Sequence, residues 1–532
     1  MNKCIYTNDA KYELISLAWR EGAAKMAVLM GIDIGTSSVK AMLMDAEGRM
    51  LGFSQKEYEI SIPFPGYAEQ DPDVWWNLVC QTSSAALQQA GIAPDRIAAI
   101  GLSGQMHGLV ALDGNGRTVR PSIIWCDQRS ITQKQELQKR FTREELGRLI
   151  QNPAATGFQL LSLLWLRENE PDIFQTIRSV ILPKDYVRYR LTGEIGVDTT
   201  DASSTSAFGV ADRAWSTALL EKAEIDPALF PQVGEPWQIC GAVTAAAAME
   251  TGLYPGTPVV FGGADQAMQA IGNGVISPGV ISCTIGTGGQ LFTTIDHPAY
   301  DSLLRTHTYV HAVPDKWYLL GASMSAGLSL KWLAGQILQR SDYDALDELA
   351  AGSIAGSENL LFLPYLAGDR TPHMDPHAKG MFFGLQLGHN TGHLVRAVLE
   401  GVSFSLKDSL DIFKALGVRK DRLIASGGGA KSRLWKQIIA DILEVDVYTS
   451  TMKEQACIGA AMIAGVGLGL YASVGEACDA VVRIDETAVK PNAENKETYS
   501  RLYAVYKQLY QNNKELFPLL DHPIDKNGAG RP

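Results

Sequence analysis

The sequence lacks the features that would place it in a membrane, in an oxidising compartment or on a nucleic acid. It has no run of about 18 consecutive apolar residues, the length that a helix needs to span a bilayer. Its seven cysteines are scattered and include no CxxC pair, which indicates a reducing compartment and offers no zinc-ligand spacing. The net charge of -11 argues against a broad nucleic-acid surface. We therefore expect a cytoplasmic protein whose partners are small molecules.

The chain is longer than a single hydrophobic core usually serves. Its 532 residues, 46% of them hydrophobic and 20% charged, have the composition of a globular protein and predict two domains. We expect an N-terminal domain over residues 26–260, a C-terminal domain over residues 261–516 and a tail over residues 517–532. Residues 1–25 are expected to be a disordered extension, because they lack the apolar segment of a secretory signal.

The stretch that we predict to be catalytic follows a short apolar run, Pro258 to Phe261. Two glycines come directly after the run, a pattern that predicts a buried strand entering a tight turn. Asp265 would then lie at the carboxyl end of the strand, where open α/β sheets bind ligands. We expect Asp265 to be a catalytic base with an ordinary carboxylate pKa of about 4. Asp265 and Gln266 are both expected to contact the substrate.

Two similar stretches predict β-hairpins whose turns can hold phosphate. Both turns consist of small residues with free backbone N–H groups: Gly35, Thr36 and Ser37 in one, and Gly286, Thr287 and Gly288 in the other. Asp33, at the entrance of the first turn, can hold Mg²⁺, and Lys40 is expected to contact the nucleotide. Either stretch alone is equally consistent with an ordinary hairpin that binds no phosphate. The repetition favours two related domains, each presenting one hairpin to a shared cleft.

Two further strand ends carry candidate binding residues. An apolar strand over Ile97 to Leu102 leads into Gln105, Met106 and His107. A single histidine is more often structural, but flanking glycines make a ligand role competitive, with Met106 as a soft apolar wall. A second predicted strand leads into a helix capped by Ser432. The backbone between that strand and helix is expected to accommodate a flat or anionic ligand at Gly427, Gly428, Gly429 and Ala430.

The role of a third strand end stays open. Ile123 to Asp127 is predicted to be a strand that ends in a carboxylate, with Arg129 two residues later. A structural ion pair and a substrate role are equally consistent with this spacing. The same holds for the charged loop that contains Arg370, for which the sequence assigns no role.

Together these residues resemble the FGGY family of carbohydrate kinases over Met30 to Leu516. The motif that carries the resemblance is Gly380-x-Phe382-x-Gly384-Leu385, followed by His393-Leu394-x-x-Ala397-Val398-Leu399-Glu400. Within the family, the chain most resembles kinases that act on D-xylulose. The motif that carries this resemblance is Gly104-Gln105-Met106-His107-Gly108. Ser162 departs from the family pattern, which commonly has lysine there.

The resemblance implies a fold, a reaction and a set of partners. The fold would be α/β, with two ribonuclease H-like domains of the actin, hexokinase and Hsp70 superfamily flanking a central cleft. Met106 and His107 would line a sugar pocket, and Asp265 would activate the sugar hydroxyl for attack on Mg²⁺-bound ATP. A homodimer is the family expectation. Two alternatives remain: a kinase for another ketopentose, a polyol or gluconate, and a sugar- or nucleotide-binding switch protein without turnover.

Overall fold

The structure, a computed structural model, describes residues 27–521. The extension predicted for residues 1–25, and the predicted tail beyond residue 521, lie outside the described residues. Among residues 27–521, no helix is both long and apolar enough to cross a membrane.

The first large sheet is built around the first predicted hairpin. Val28–Ile34 pairs antiparallel with Ser38–Asp45 and, on its other side, parallel with Ile97–Gly104. The strands follow across the sheet in the order Ile239–Ala242, Pro258–Val260, Ile97–Gly104, Val28–Ile34, Ser38–Asp45 and Met50–Glu57, with Gly263–Ala264 also paired to Ile97–Gly104. The hairpin strand Val28–Ile34 is buried along its whole length, as its apolar sequence predicts.

The second large sheet repeats this plan around the second predicted hairpin. Val280–Ile285 pairs antiparallel with Gly289–Ile295 and parallel with Arg422–Ser426. The strand order is His307–Val310, Trp317–Ser323, Gly289–Ile295, Val280–Ile285, Arg422–Ser426, Val447–Ser450 and Ile484–Val489. The prediction of two related α/β units, each built around one hairpin, is confirmed. The exact boundary after residue 260 stays a prediction.

The remaining strands are short and pair in twos: Glu69–Gln70 with Ser122–Ile123, Val110–Leu112 with Ser179–Ile181, Val197–Asp198 with Val233–Gly234, Phe208–Gly209 with Ala214–Trp215, and Leu361–Leu363 with Met381–Phe383. The strand predicted over Ile123 to Asp127 is therefore wrong beyond Ile123. The chain turns there because the Asp127 N–H bonds back to the Ile124 carbonyl at 3.0 Å. The Asp127 carboxylate also accepts from the Ala68 N–H at 2.6 Å.

Helices cover both sheets. Their bounds are Pro72–Ala90, Ile131–Arg140, Arg143–Ile150, Gln159–Asn169, Pro171–Thr176, Pro183–Thr192, Thr199–Ala202, Thr217–Lys222, Ala245–Thr251, Asp265–Gly272, Gly327–Trp332, Tyr343–Ala351, Thr391–Ala415, Arg433–Leu443, Gln455–Leu468, Val474–Val481 and Lys496–Asn513. The predicted cap Ser432 accepts from the Trp435 N–H at 2.9 Å, which satisfies a backbone donor that the helix leaves unpaired.

Two helices, the base helix (Asp265–Gly272) and the central helix (Gln455–Leu468), pack against each other and lie close to the first sheet. Glycines permit this packing: a Cβ on Gly459 would lie 2.0 Å from the Met268 carbonyl oxygen. A Cβ on Gly101 would likewise lie 1.9 Å from the Ala460 carbonyl oxygen. The central helix therefore touches the sheet backbone to backbone.

We expect Gly101→Ala to destabilise the protein by about 3 kcal/mol, since the added methyl group meets a helix carbonyl that is itself packed on both sides. Urea denaturation followed by circular dichroism measures the loss. Gly335→Ala is the matched control, because no atom lies within 4 Å of its added Cβ. An equal loss of stability in the two variants would contradict the close helix–sheet contact.

Candidate active site

Asp265 is the first residue of the base helix, and the backbone before it is tied to the first sheet. Gly263–Ala264 pairs in parallel with Ser103 and Gly104, the end of a central strand. The Ala264 N–H donates to Thr200 Oγ1 at 2.9 Å. The carboxylate therefore lies at the carboxyl end of the sheet, as the sequence predicted.

The surroundings of Asp265 raise the pKa of its carboxyl group to about 7. Burial is the main cause, and the negative charge of Asp33 adds to it, while hydrogen bonds from Gln266 act in the opposite direction. The expected pKa of about 4 is wrong, because the sequence does not show that the two carboxylates share a buried region. A carboxylate with a pKa near 7 is a much better proton acceptor at neutral pH.

A buried ionic network holds the strand that leads to Asp265. The Lys184 ammonium lies 2.5 Å from Asp185 Oδ1, 2.8 Å from Asp198 Oδ2 and 3.3 Å from Asp201 Oδ2. Lys184 and Arg188 also donate to the Phe261 carbonyl, each at 3.3 Å. The three carboxylates are close enough together to hold a metal ion, but the Lys184 ammonium already stands among them. The network therefore acts as a support for the turn before the base.

Asp33 lies in the first hairpin, directly across from Lys40. Its Oδ1 accepts from Ser103 Oγ at 2.8 Å, and burial raises its pKa while the charge of Lys40 lowers it. Lys40 in turn lies 2.5 Å from Glu454 Oε2, on the residue that precedes the central helix. Lys40, which we predict to contact the nucleotide, is thus already engaged in an ion pair that joins two distant parts of the chain.

The turn of the first hairpin is held from outside. The Thr36 carbonyl accepts from Gln70 Nε2 at 2.8 Å, and the Thr36 hydroxyl accepts from Trp125 Nε1 at 2.9 Å. Gly35 N–H bonds to the Ser38 carbonyl at 3.0 Å, which closes the turn. Ser37 is the exposed member of the turn.

The second hairpin and the glycine stretch of residues 427–430 lie side by side. Their strands pair in parallel, and a Cβ on Gly427 would lie 2.6 Å from the Ile285 carbonyl oxygen. Gly427 also has a φ of 82°, which favours glycine. A Cβ on Gly428 would meet open space, and Ala430 is buried beneath. The structure therefore brings these predicted nucleotide residues together, and their contact with a nucleotide stays a prediction.

The turn of the second hairpin is bonded to the start of the helix Gly327–Trp332. The Gly286 N–H bonds to the Gly288 carbonyl at 3.0 Å. The carbonyls of Gly286 and Thr287 accept from the Gly327 and Ala326 N–H groups, both at 2.9 Å. The carbonyls of this turn are thus occupied within the protein. Gly286 and Thr287 of this turn are exposed.

His107 is the most constrained of the predicted sugar-binding residues. Its φ of 74° lies in the left-handed region, which a residue with a side chain adopts at an energetic cost and which is common at functional sites. Its ring stacks on Phe158 at 3.8 Å, and Nδ1 lies 2.8 Å from the Ser204 carbonyl. Because a carbonyl only accepts, we assign the proton to Nδ1, which leaves Nε2 as an acceptor. Burial lowers the pKa of His107 to about 3, so the ring is neutral.

Gln105 and Met106 differ in what they offer a ligand. Gln105 Nε2 donates to Gln70 Oε1 at 2.8 Å, and its own Oε1 is buried without a hydrogen bond among the described residues. Met106 is buried in a core cluster that also contains Tyr309 and Tyr318. Gln266 is partly exposed and donates to Asp265. The structure thus groups Gln105 and His107 around the same strand end, with Met106 behind them.

Other residues of this region were missed or left open by the sequence. Tyr309 lies beside His107, with ring centroids 6.0 Å apart, and the aromatic pattern of its strand was the only available signal. Arg129 lies 2.8 Å from Asp127 Oδ2 and 2.7 Å from Glu69 Oε1. Its guanidinium also covers the Tyr67 ring at 3.9 Å. These are the contacts of a structural ion pair, the first of the two alternatives.

We expect Thr200→Val to lower stability by about 1–3 kcal/mol and to lower catalytic turnover, because the buried Ala264 N–H beside Asp265 loses its acceptor. Urea denaturation and steady-state kinetics measure the two effects. Thr82→Val is the matched control: Thr82 is equally buried, but its hydroxyl donates to helix carbonyls that already accept backbone bonds. Full activity in Thr200→Val would show that this contact does not hold the base.

Comparisons with known proteins agree with this architecture. The model of the FGGY family of carbohydrate kinases, N-terminal domain, matches residues 28–272, and the model of the C-terminal domain matches residues 281–468. A protein named xylulose kinase from Staphylococcus epidermidis is 36% identical over 492 residues, which cover 92% of this chain and 97% of that protein. The chain is thus similar to proteins of this name over nearly its whole length.

Solved structures give the same result for the fold. The crystal structure of xylulose kinase from Rhodospirillum rubrum has a TM-score of 0.86 and 31% identity, and covers 92% of this chain and 99% of that chain. The crystal structure of gluconate kinase from Lactobacillus acidophilus has a TM-score of 0.88 and 27% identity, and covers 93% of this chain and 100% of that chain. The predicted fold class, two ribonuclease H-like α/β domains flanking a cleft, is confirmed. The chain belongs to the FGGY family of carbohydrate kinases.

Proposed function

We propose that the protein transfers the γ-phosphoryl group of ATP to D-xylulose and forms D-xylulose 5-phosphate, with Asp265 as the general base. The observation that carries the proposal is the environment of Asp265, which is tied to the end of a central strand and has its pKa raised to about 7. The choice of sugar rests on the relatives named xylulose kinase, at 36% identity in the example above.

In the proposed step, Asp265 accepts the proton of the sugar's primary hydroxyl as that oxygen attacks the γ-phosphorus. The bond between the γ-phosphorus and the β–γ bridging oxygen breaks, and ADP leaves with the electron pair. Phosphoryl transfer of this kind needs positioning and charge neutralisation more than covalent catalysis. A base whose pKa lies near the working pH is well matched to the proton transfer.

Asp33 is the proposed ligand for Mg²⁺. A carboxylate is the ligand type that Mg²⁺ prefers, and Ser103 already orients Oδ1 of Asp33. When bound, Mg²⁺ would neutralise charge on the phosphates. Because Asp33 also raises the pKa of Asp265, a cation at Asp33 would lower it again and favour the ionised base.

The nucleotide is proposed to lie along the two hairpins and the glycine stretch. The turns at residues 35–37 and 286–288, with Lys40, would hold the phosphates, and residues 427–430 with Ser432 would pass beneath the adenosine. The sugar is proposed to bind between Asp265 and His107, in contact with Gln105, Met106 and Gln266. Closure of the cleft around both substrates would exclude water from the transferred phosphoryl group.

A second candidate substrate is gluconate. It is the substrate named for one of the similar solved structures, the gluconate kinase of Lactobacillus acidophilus. A switch protein without turnover is less well supported, because Asp33, Asp265 and both hairpins are present together.

We expect Asp265→Asn to lose at least 100-fold in kcat while it still binds ATP, because the asparagine amide cannot accept the proton. In the wild type, kcat/KM, which reports the free enzyme, is expected to fall about tenfold per pH unit below a pH of about 7, since protonation removes the base. The kcat, measured with Mg²⁺-ATP bound, should begin to fall at a lower pH, since a cation at Asp33 lowers the pKa of Asp265. Asp172→Asn, which changes an exposed carboxylate, should keep the wild-type profile. An Asp265→Asn variant with a tenth or more of the wild-type kcat would refute the assignment.

We also expect ADP release to be fastest with D-xylulose in a panel that contains D-ribulose, L-xylulose, L-ribulose, gluconate, glycerol and no sugar. The measurement is a coupled assay with Mg²⁺-ATP at fixed sugar concentrations. A preference for gluconate would keep the base and change the proposed substrate. If no sugar accelerates ADP release although ATP binds, the substrate lies outside the panel or the protein is a switch.

A further inference from the structure

Arg370 is a charged residue in the aromatic region around His107 that the proposed function leaves without a role. Its side chain makes neither a hydrogen bond nor an ion pair with any of residues 27–521, and its guanidinium lies 5.6 Å from the centre of the Trp125 ring. Burial lowers the pKa of Arg370, although the residue keeps a partly exposed surface. The guanidinium is therefore partly withdrawn from water without being paired.

The groups that face Arg370 carry no compensating charge. They are the rings of His107, His307 and Tyr309 and the thiol of Cys126, whose pKa values all respond to the charge of Arg370. Burial lowers the pKa of both histidines and raises those of the phenol and the thiol, so all four are neutral at pH 7. The neighbouring carboxylate of Asp369 instead accepts from the His373 N–H at 3.2 Å.

Three arginines whose side chains are buried are paired instead. Arg129 contacts Asp127 and Glu69, Arg188 contacts Asp185, and Arg396 contacts Glu400. A charge that is partly withdrawn from water and has no partner is available to an acceptor that arrives with a ligand. Guanidinium has five N–H donors in a planar fork and suits a carbonyl, a pair of hydroxyls or a carboxylate.

The position of Arg370 favours the sugar over the phosphates. The pKa values of His107 and His307 respond to its charge, whereas the pKa of Asp265 is set by burial, Asp33 and Gln266. The pKa of Asp33 is likewise set by burial, Lys40, Ser103 and Glu454. The charge of Arg370 thus acts on the His107 side of the site, and its ring neighbour Trp125 donates to Thr36 Oγ1 of the first hairpin at 2.9 Å.

We propose that Arg370 is a specificity-determining residue that binds the substrate directly. Its guanidinium donates to the oxygen atoms at the end of the sugar remote from the hydroxyl that Asp265 deprotonates. Those atoms are the C1 hydroxyl and C2 carbonyl of a ketose, or the carboxylate of an aldonate. This inference rests on the proposed kinase function and adds the residue that binds the end of the substrate remote from Asp265.

Arg370→Gln and Arg370→Lys test the proposal, with Arg148→Gln on an exposed helix surface as the matched control. Calorimetric titration without ATP gives the Kd of D-xylulose and of gluconate, and steady-state kinetics give KM for sugar and for ATP. We expect Arg370→Gln to raise the Kd and KM of the sugar by roughly 10- to 100-fold, because charged hydrogen bonds are lost. Arg370→Lys should recover part of this loss, and KM for ATP should change by less than about 3-fold in every variant.

The outcomes separate this proposal from the proposed function. If the wild type uses D-xylulose and Arg370→Gln binds it unchanged, the role of Arg370 is refuted and the function stands. If the wild type binds and uses gluconate instead, and Arg370→Gln weakens gluconate binding, the function is refuted and the role of Arg370 stands. A lower kcat and a higher KM for ATP at an unchanged Kd for sugar would move Arg370 to the phosphates and overturn the proposal. ATP binding by each variant confirms that it is folded.

Discussion

The site depends on backbone-to-backbone packing between the base helix, the central helix and the first sheet. Glycines at Gly31, Gly101, Gly272 and Gly459 let these elements approach to distances that a Cβ would prevent. Asp265, at the start of the base helix, is thereby fixed relative to Asp33 on the adjacent sheet. Since interiors are close-packed, this geometry resists gradual deformation and holds the two carboxylates in place relative to each other.

That fixed spacing explains the electrostatics of the base. Burial and the charge of Asp33 both disfavour the ionised form of Asp265, so its pKa rises from the ordinary range to about 7. When both Asp33 and Asp265 are ionised, at and above neutral pH, their repulsion and burial lower the stability of the folded protein. This loss of stability decreases as the pH falls and Asp265 takes up a proton. The ionic network around Lys184 supports this region, because Lys184 and Arg188 both donate to the Phe261 carbonyl in the approach to the base.

Local patterns predicted the parts of this structure that local physics determines. The alternating apolar runs around Gly-Thr turns predicted both hairpins, and Ser432 was identified as a cap from its place before an amphipathic helix. Contacts between distant residues escaped prediction. The pair of Lys40 with Glu454 joins residues 414 positions apart, and the pKa of Asp265 depends on a burial that no short pattern encodes. The strand predicted to Asp127 ended early for a similar reason, since Ala68 and Glu69 hold that turn.

The two walls of the proposed sugar pocket come from different halves of the chain. His107 follows a strand of the first sheet, and Arg370 lies in a loop that bonds to the second sheet through the Thr371 N–H and the Ala322 carbonyl at 2.9 Å. The two residues would contact different groups of a sugar, because His107 Nε2 offers an acceptor and Arg370 offers donors. A substrate with oxygens at both ends would bridge the two walls and favour the closed cleft. Recognition of the sugar and exclusion of water from the phosphoryl group would then be two results of one movement.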